Sequence, residues 1–210
     1  MSRLEDIRGL YVIVDNTSRP DRSHLAICEA ALRGGARIIQ LRARNLTKRA
    51  FYETAKELRV LTREHEAIFI VNDHLDVALA SEADGVHLGQ EDLPIKAARQ
   101  IAGARLFIGI STHSIEEAHT AQEAGADYIG FGAIYPTLSK ARATAPQGPE
   151  RLKEIVNAVS IPVVGIGGIT QDKVPELTQT GVAGFAVISA ITTAPDMAKE
   201  VEGLIRAWSK

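Results

Sequence analysis

Short apolar runs alternate with amphipathic segments along almost the whole chain. Each apolar run has the length of a buried strand, and each amphipathic segment repeats its apolar positions with the period of a helix. Eight strands are predicted, at residues 10–14, 37–41, 68–71, 85–88, 106–110, 127–131, 162–166 and 184–188. Eight helices follow them, at residues 23–33, 47–64, 74–80, 95–102, 114–124, 150–159, 170–180 and 195–208.

The apolar runs show little alternation with polar residues, which is typical of parallel strands covered on both faces. Strictly alternating strands and helices over 210 residues favour a single (β/α)8 TIM barrel, with residues 1–210 as one domain. An open, doubly wound sheet is the alternative. Its dinucleotide fingerprint is missing after the first strand, where Asp15, Asn16, Thr17 and Ser18 stand. The pattern therefore favours the barrel.

Composition narrows the function classes without indicating one. The formal net charge is −2 and no block of like charges occurs, which argues against a nucleic-acid-binding surface. No apolar run approaches the roughly 18 residues of a membrane span, and the first residues do not resemble a signal peptide. A cytoplasmic location is the expectation. The apolar helix faces suit either a dimer interface or the barrel wall, so the oligomeric state stays open.

Polar residues gather where the predicted strands end, which is where the active sites of TIM barrels lie. Asp73 follows the third strand, and Asp92 lies just beyond the fourth. One hypothesis is that the two carboxylates meet at the barrel rim and hold a hard cation. The alternative is that Asp73 caps the helix starting at His74 and Asp92 caps the helix starting near Pro94.

Two anion-binding corners are also predicted. Gly167 and Gly168 follow the seventh strand, and Ile188 and Ser189 follow the eighth. Backbone N–H groups of glycine loops and helix N-termini suit a phosphate, although such glycines also serve tight strand-to-helix packing. A second, cationic corner is formed by the basic residues Arg42, Arg44 and Lys140. One arginine can bind two phosphate oxygens at once. A surface arginine considered alone, such as Arg44, is equally suited to an ordinary salt bridge.

The remaining polar residues carry weaker signals. Ser111 has no His or Asp partner in a recognisable motif, and it is predicted to be a hydrogen-bonding residue rather than a nucleophile. His87 lies within a strand and is predicted to be a hydrogen-bonded interior residue. No spacing of His and Cys suggests zinc, since Cys28 is the single cysteine. Residues 132–149 form the longest predicted loop, which we expect to close over a ligand.

Seven segments together resemble one known family, that of thiamine-phosphate synthase. They are Q-L-R-A-R at 40–44, V-N-D-H-L-D-V-A at 71–78, A-D-G-V-H-L-G-Q-E-D-L-P at 83–94, G-I-S-T-H at 109–113, G-A-D-Y-I-G-F-G-A-I-Y-P-T-L-S-K at 125–140, I-P-V-V-G-I-G-G-I at 161–169 and A-V-I-S-A-I at 186–191. The segment at 83–94 beside Asn72 and Asp73 is specific. The glycine run occurs in many phosphate-binding barrels.

The resemblance implies a transferase of thiamine biosynthesis. Such an enzyme joins hydroxymethylpyrimidine diphosphate to thiazole phosphate with Mg²⁺, and it releases pyrophosphate and thiamine phosphate. The residues implied to hold the pyrimidine diphosphate are Gln40, Arg42, Arg44, Asn72, Ser111 and Lys140, of which Arg42, Ser111 and Lys140 are the predicted catalytic residues. The implied Mg²⁺ ligands are Asp73 and Asp92. The residues implied to hold the thiazole phosphate are Thr137, Ser139, Gly168, Ile188 and Ser189.

The implied mechanism is dissociative, in that pyrophosphate leaves before the thiazole nitrogen captures a pyrimidine-methyl cation. Three positions depart from the family pattern: Arg44 replaces a frequent Lys, Ser139 a Thr, and Ala133 a Pro, and none of these removes a charge or a ligand. Two other functions remain open at this point. A thiazole tautomerase on the same barrel would need an acid–base group, but Gln147 rather than His precedes Gly148. A non-catalytic phosphate-ligand sensor would not need the acid pair.

Overall fold

The structure is a computed structural model, and it describes residues 7–137 and 145–209. The strands are β1 Gly9–Val14, β2 Ile38–Leu41, β3 Ile68–Asn72, β4 Gly85–Leu88, β5 Phe107–Thr112, β6 Tyr128–Gly132, β7 Val163–Ile166 and β8 Gly184–Val187. The helices are α1 His24–Arg33, α2 Lys48–Glu64, α3 Leu75–Ala80, α4 Ile95–Ala102, α5 Ile115–Glu123, α6 Gly148–Ala158, α7 Val174–Thr178, α8 Ser189–Thr192 and α9 Met197–Trp208.

The eight strands close into one parallel barrel. Each strand pairs with its neighbour in the sequence, and β8 pairs back onto β1, with Gly9 opposite Gly184. This closure confirms the predicted (β/α)8 TIM barrel and shows that the open, doubly wound sheet is wrong. All strands run in the same direction, so their carboxyl ends meet at one rim of the barrel.

The strands separate two apolar cores because successive side chains point to opposite faces. In β1, Leu10, Val12 and Val14 pack outward against the helices, whereas Tyr11 and Ile13 point into the barrel. The inner core also holds Ile7, Ile38, Ile70, Tyr128, Val164 and Ala186. The barrel interior thus contains two phenol groups among aliphatic side chains, and each phenol needs a hydrogen-bonding partner.

Side-chain caps begin several helices, as the sequence indicates. The Ser23 hydroxyl accepts from Ala26 N–H, and the Ser114 hydroxyl accepts from Glu117 N–H. Ser114 and Glu117 have the spacing of a capping box, but the box is only half formed, because the Glu117 carboxylate accepts from His113 N–H, one residue before the cap. No helix among the described residues combines the length and the apolar character needed to cross a membrane.

Two helices near the rim differ from the prediction. The predicted helix at 170–180 is shortened to α7, because Thr170 to Lys173 form a turn in which Lys173 N–H donates to the Thr170 carbonyl. Pro175 then occupies the first turn of α7. Proline is tolerated there because the first N–H groups of a helix have no partner within the helix. The short helix α8 was not predicted, and it begins directly after β8. Both differences shape the corner predicted to bind phosphate.

Candidate active site at the carboxyl ends of the strands

The backbone at the end of β3 directs Asp73 towards the neighbouring strand. Asp73 adopts a left-handed conformation with φ of 62°, which is uncommon outside glycine but is tolerated by Asp and Asn. Its N–H donates to the His87 carbonyl at 2.9 Å, and His74 N–H donates back to the Asn72 carbonyl at 2.7 Å. This tight turn places the carboxyl group of Asp73 at the rim beside β4.

Asp92 reaches the same place from the loop after β4. Its Oδ2 accepts from Gly89 N–H at 2.6 Å, which folds the loop back onto the end of the strand. The carboxyl groups of Asp73 and Asp92 lie within hydrogen-bonding reach of each other. Burial, the hydrogen bond to Asp92 and the charge of Asp92 raise the pKa of Asp73 to about 6, against the opposing charges of Arg44 and Arg42. The two acids predicted to meet at the rim do so.

Neither acid caps a helix. The N-cap of α3 is His74 and that of α4 is Pro94, and neither helix start is closed by a side-chain hydrogen bond. The capping alternative for Asp73 and Asp92 is therefore wrong. Their placement side by side brings two like charges together, which is unfavourable unless a proton or a cation lies between them.

The chemistry of this acid pair fits a hard divalent cation. Mg²⁺ takes oxygen ligands and commonly binds through one or two carboxylates, with waters and phosphate oxygens completing its shell. Residues 7–137 and 145–209 contain no group of three or more His, Cys, Asp or Glu side chains arranged to hold a metal ion. A cation at Asp73 and Asp92 would thus rely on water and on a ligand for its other bonds.

Two arginines flank the acid pair, and they differ in character. Both Arg42 and Arg44 act electrostatically on Asp73, so both lie near it. Arg44 is exposed. Arg42 is 7% exposed and forms an ion pair with Asp15, which is 2% exposed. The sequence did not indicate this pairing, and it means that part of the charge of Arg42 is already balanced within the protein.

A chain of hydrogen bonds crosses the barrel interior and joins two of the predicted site residues. Gln40 Nε2 donates to the Tyr11 hydroxyl at 3.2 Å, and the hydroxyls of Tyr11 and Tyr128 are 3.0 Å apart. His87 bridges onward, with Nδ1 3.1 Å from the Tyr128 hydroxyl and Nε2 3.1 Å from the Ser111 hydroxyl. We call these five residues the interior hydrogen-bond chain. It holds the side chains of Gln40 and Ser111 in defined orientations.

The interior chain depends on two small residues. A Cβ atom on Gly109 would lie 2.1 Å from Tyr128 Cζ, and one on Gly130 would lie 3.2 Å from His87 Cε1. Glycine at 109 is needed to leave room for the Tyr128 ring, and glycine at 130 gives the His87 ring its clearance. Sequence reasoning missed Tyr11 and Tyr128 because they occupy strand positions where an aromatic residue packs as an apolar one. Glycines on adjacent strands were the available signal.

Ser111 has a partner that the sequence did not reveal. His87 lies on the adjacent strand β4, so the two residues are close in space although no motif links them. His87 is hydrogen-bonded as predicted, and its second nitrogen contacts a phenol rather than a carboxylate. The Gln90 side chain also donates to the Ser111 carbonyl at 2.7 Å. Asn72, the remaining predicted residue in this sector, ends β3 opposite His87.

A cavity of about 840 Å³ opens on the other side of the rim. Four of the residues predicted to bind the second phosphate line it: Thr137, Gly168, Ile188 and Ser189. The other polar residues of its lining are Ser18, His113, Thr170, Lys173 and Thr193. The structure therefore brings the described members of the predicted thiazole-phosphate set together. Ser139 and Lys140 lie outside the described residues.

The glycines of this cavity serve a close approach between two loops. Gly167 and Gly168 have φ of 105° and 65°, and Tyr135 N–H donates to the Gly167 carbonyl at 3.0 Å. A Cβ atom on Gly168 would lie 2.4 Å from the Pro136 carbonyl oxygen. The prediction that a helix begins directly after these glycines is wrong, because α7 starts only at Val174. After β8 a helix does begin at once, at Ser189.

Comparison with known proteins gives consistent matches. The family model described as "Thiamine monophosphate synthase" matches residues 10–191. The chain is 48% identical to the thiamine-phosphate synthase of Archaeoglobus fulgidus, over 99% of this chain and 98% of the relative. It is 47% identical to that of Methanospirillum hungatei, over 90% and 92%. Among solved structures, the thiamine phosphate pyrophosphorylase from Pyrococcus furiosus superposes with a TM-score of 0.89, at 45% identity and 98% coverage of both chains.

Proposed function

The chain belongs to the thiamine monophosphate synthase family, and from that premise we propose how its strand-end rim divides the work of the reaction. Its activity is that of a thiamine-phosphate synthase, a transferase. The two substrates each carry a phosphate group. The acid pair and arginines would take the pyrimidine diphosphate, and the cavity of about 840 Å³ would take the thiazole phosphate.

The observation that carries this assignment is the pairing of Asp73 with Asp92 beside Arg42 and Arg44. Two adjacent carboxylates repel each other, so this arrangement favours a divalent cation between them. Mg²⁺ held by Asp73 and Asp92 would neutralise charge on the diphosphate when both are bound. The arginines would bind the remaining phosphate oxygens of the leaving group.

The polar residues around the pyrimidine would position it rather than attack it. Gln40 and Ser111 terminate the interior hydrogen-bond chain, which fixes their orientation before substrate binds. Ser111 and His87 resemble the first two members of a catalytic triad. In a triad a carboxylate orients the histidine, whereas here His87 Nδ1 contacts the Tyr128 phenol. Burial raises the pKa of Tyr128 above its usual range, so the phenol stays protonated. We therefore assign Ser111 a hydrogen-bonding role, as the sequence indicates.

These residues support a dissociative mechanism. Loss of pyrophosphate leaves a pyrimidine-methyl cation, which needs a neutralised leaving group and a thiazole nitrogen held close by. Arg42, Arg44 and Lys140 would stabilise the leaving group, and Asn72 would contact the same substrate. Thr137, Ser139, Gly168, Ile188 and Ser189 would hold the thiazole phosphate. No protein nucleophile or general base is required.

The decisive experiment supplies both substrates with Mg²⁺ and measures pyrophosphate and thiamine phosphate. We expect both products in equal amounts, and neither product when Mg²⁺ is chelated or either substrate is omitted. Isomerisation of the thiazole phosphate without pyrophosphate release would instead indicate a tautomerase. Binding of the phosphates without any turnover would indicate a phosphate-ligand sensor.

The metal assignment has a test that does not depend on turnover. Mg²⁺ added with pyrophosphate should raise the melting temperature of the wild type and should do so far less in Asp92→Asn. Glu91→Gln removes a neighbouring exposed charge from the same loop and serves as the control. Equal stabilisation of all three proteins would place the metal elsewhere.

A further inference from the structure

We propose that Lys173 recognises the phosphate of the thiazole substrate and so selects the phosphorylated form over the free alcohol. The proposal rests on the assignment of the cavity to thiazole phosphate. Lys173 lies just before α7 and lines this cavity. Among the described lining residues it is the one lysine or arginine, so it supplies the fixed positive charge in that part of the pocket.

Two contacts hold the Lys173 ammonium group at the cavity wall. Its Nζ donates to the carbonyl of Gly168 at 3.1 Å. Gly168 belongs to the glycine loop that lines the cavity. The same Nζ lies 4.6 Å from the centre of the Tyr135 ring, a distance at which the ring face attracts a cation. Lys173 is only half-buried, and the Gly168 carbonyl takes one of the three N–H donors of its ammonium group.

Among the described residues Lys173 forms no ion pair within 4.0 Å, although its charge helps to lower the pKa of the neighbouring Asp172 after that carboxylate's own hydrogen bonds. The two nearest acids in sequence are engaged elsewhere: Asp172 accepts from the Thr170 hydroxyl at 2.6 Å, and Glu176 accepts from the Tyr135 hydroxyl at 2.7 Å. A carbonyl and an aromatic face orient an ammonium group without cancelling its charge. This distinguishes Lys173 from the buried Arg42, which is paired with Asp15.

Tyr135 positions Lys173 through its ring, which contacts the ammonium group. It belongs to the loop after β6, and its backbone is tied to the glycine loop through the Gly167 carbonyl. The bond from its hydroxyl to Glu176 connects this loop to α7. The residue is therefore anchored at its backbone and at its hydroxyl, and its ring holds the Lys173 ammonium group beside the Gly168 carbonyl. Tyr135 acts through Lys173 and is a positioning residue.

The two possible roles of Lys173, binding the phosphate or supporting the glycine loop, predict different kinetics. If Lys173 binds the phosphate, its loss affects thiazole phosphate and leaves the unphosphorylated thiazole alcohol unchanged. If Lys173 only supports the glycine loop, both substrates suffer equally. The comparison of the two substrates thus separates a direct role in recognition from a structural one.

The experiment compares Lys173→Met and Lys173→Arg with the wild type at saturating pyrimidine diphosphate. We expect Lys173→Met to lower kcat/KM for thiazole phosphate about 10- to 100-fold, mainly through KM, since a charged hydrogen bond is lost. The value for thiazole alcohol and the KM for pyrimidine diphosphate should not change. Lys173→Arg should recover most of the loss. Lys199→Met is the matched control, because this lysine is exposed on α9.

A loss of equal size for the alcohol and the phosphate, or no loss for either, would overturn the proposal. Calorimetric titration with thiazole phosphate provides a readout that does not require turnover. Weaker binding by Lys173→Met but not by Lys199→Met supports recognition by Lys173 even if no thiamine phosphate is formed. Equal affinity of the two variants refutes it, whatever the enzyme proves to catalyse.

Discussion

Replacing Asp92 by Asn should make the metal-free protein more stable while it abolishes activity. The substitution removes one of two carboxyl groups that lie within hydrogen-bonding reach at the rim. The amide oxygen of Asn can still accept from Gly89 N–H, as Asp92 Oδ2 does at 2.6 Å, so the loop after β4 should keep its shape. What changes is the repulsion that Asp73 experiences.

The magnitude follows from the pKa of Asp73, which rises from its ordinary 3.8 to about 6. A rise of this size corresponds to about 3 kcal/mol for the ionised carboxylate. Asp73 is partly exposed, so solvent screening reduces the value to about 1–2 kcal/mol. Burial is the largest cause of the shift and stays in the variant, so at most about 1 kcal/mol is recovered. For a chain of this length, the expected gain in melting temperature is at most about 2–4 °C at about pH 7.5.

The pH dependence of stability tests independently whether Asp92→Asn stabilises the metal-free protein. The pKa of Asp73 is higher in the folded state than in the unfolded state, so the folded protein binds its proton more tightly. Metal-free wild type should therefore lose stability as the pH rises from about 4 to about 6, and the full penalty remains above that range. At about pH 4, where Asp73 is protonated in the folded state and no longer repelled by Asp92, the difference between Asp92→Asn and wild type should shrink.

The assay is thermal unfolding in the presence of a chelator, from about pH 4 to about pH 8. Glu91→Gln changes the formal charge by the same amount and should shift the melting temperature little, because Glu91 is exposed. The reasoning is refuted if Asp92→Asn melts at or below the wild-type temperature at about pH 7.5, or if Glu91→Gln reproduces its gain.

Three further predictions concern the barrel interior and its buried ion pair. Tyr128→Phe should lower the free energy of unfolding by about 1–3 kcal/mol, since it breaks two bonds of the interior hydrogen-bond chain. Its kcat should also fall, because Ser111 is then less well oriented. An unchanged kcat would show that the interior hydrogen-bond chain only stabilises the fold. Arg42→Met should cost about 3–5 kcal/mol in denaturant unfolding by leaving Asp15 buried without its partner, and adding Asp15→Asn should restore stability but not activity. Gly109→Ala should cost at least about 1–3 kcal/mol, because its Cβ would lie 2.1 Å from the Tyr128 ring, and a variant of wild-type stability would contradict that packing.

The repeated alternation of apolar and amphipathic segments made the barrel predictable from the sequence. Each strand could be predicted from its own apolar run, and eight strand–helix units are the number that closes a TIM barrel. The short helices near the rim were less accessible. The turn before α7 depends on a hydrogen bond from Thr170 to Asp172, and α8 spans only four residues. Neither leaves a periodic pattern long enough to read.

The candidate site was predictable where residues act through their position at a strand end. Asp73 and Asp92 were expected to meet, and they do so by a left-handed residue and a folded loop that the sequence did not specify. Contacts between side chains on different strands were not accessible. The pairing of Arg42 with Asp15 arises from the register of β1 and β2, and the approach of Lys173 to the cavity arises from the turn before α7. The roles of these residues towards substrate remain predictions.

The buried pair of Arg42 and Asp15 has a consequence for the release of product. A guanidinium without a partner would bind the pyrophosphate group strongly both before and after the reaction, and the enzyme would then be inhibited by its own leaving group. Since Asp15 already pairs with Nη1 of Arg42, the internal carboxylate competes with pyrophosphate for the charge of Arg42. On the proposed assignment, this competition limits product inhibition, and it allows the rim to be cleared for another turnover.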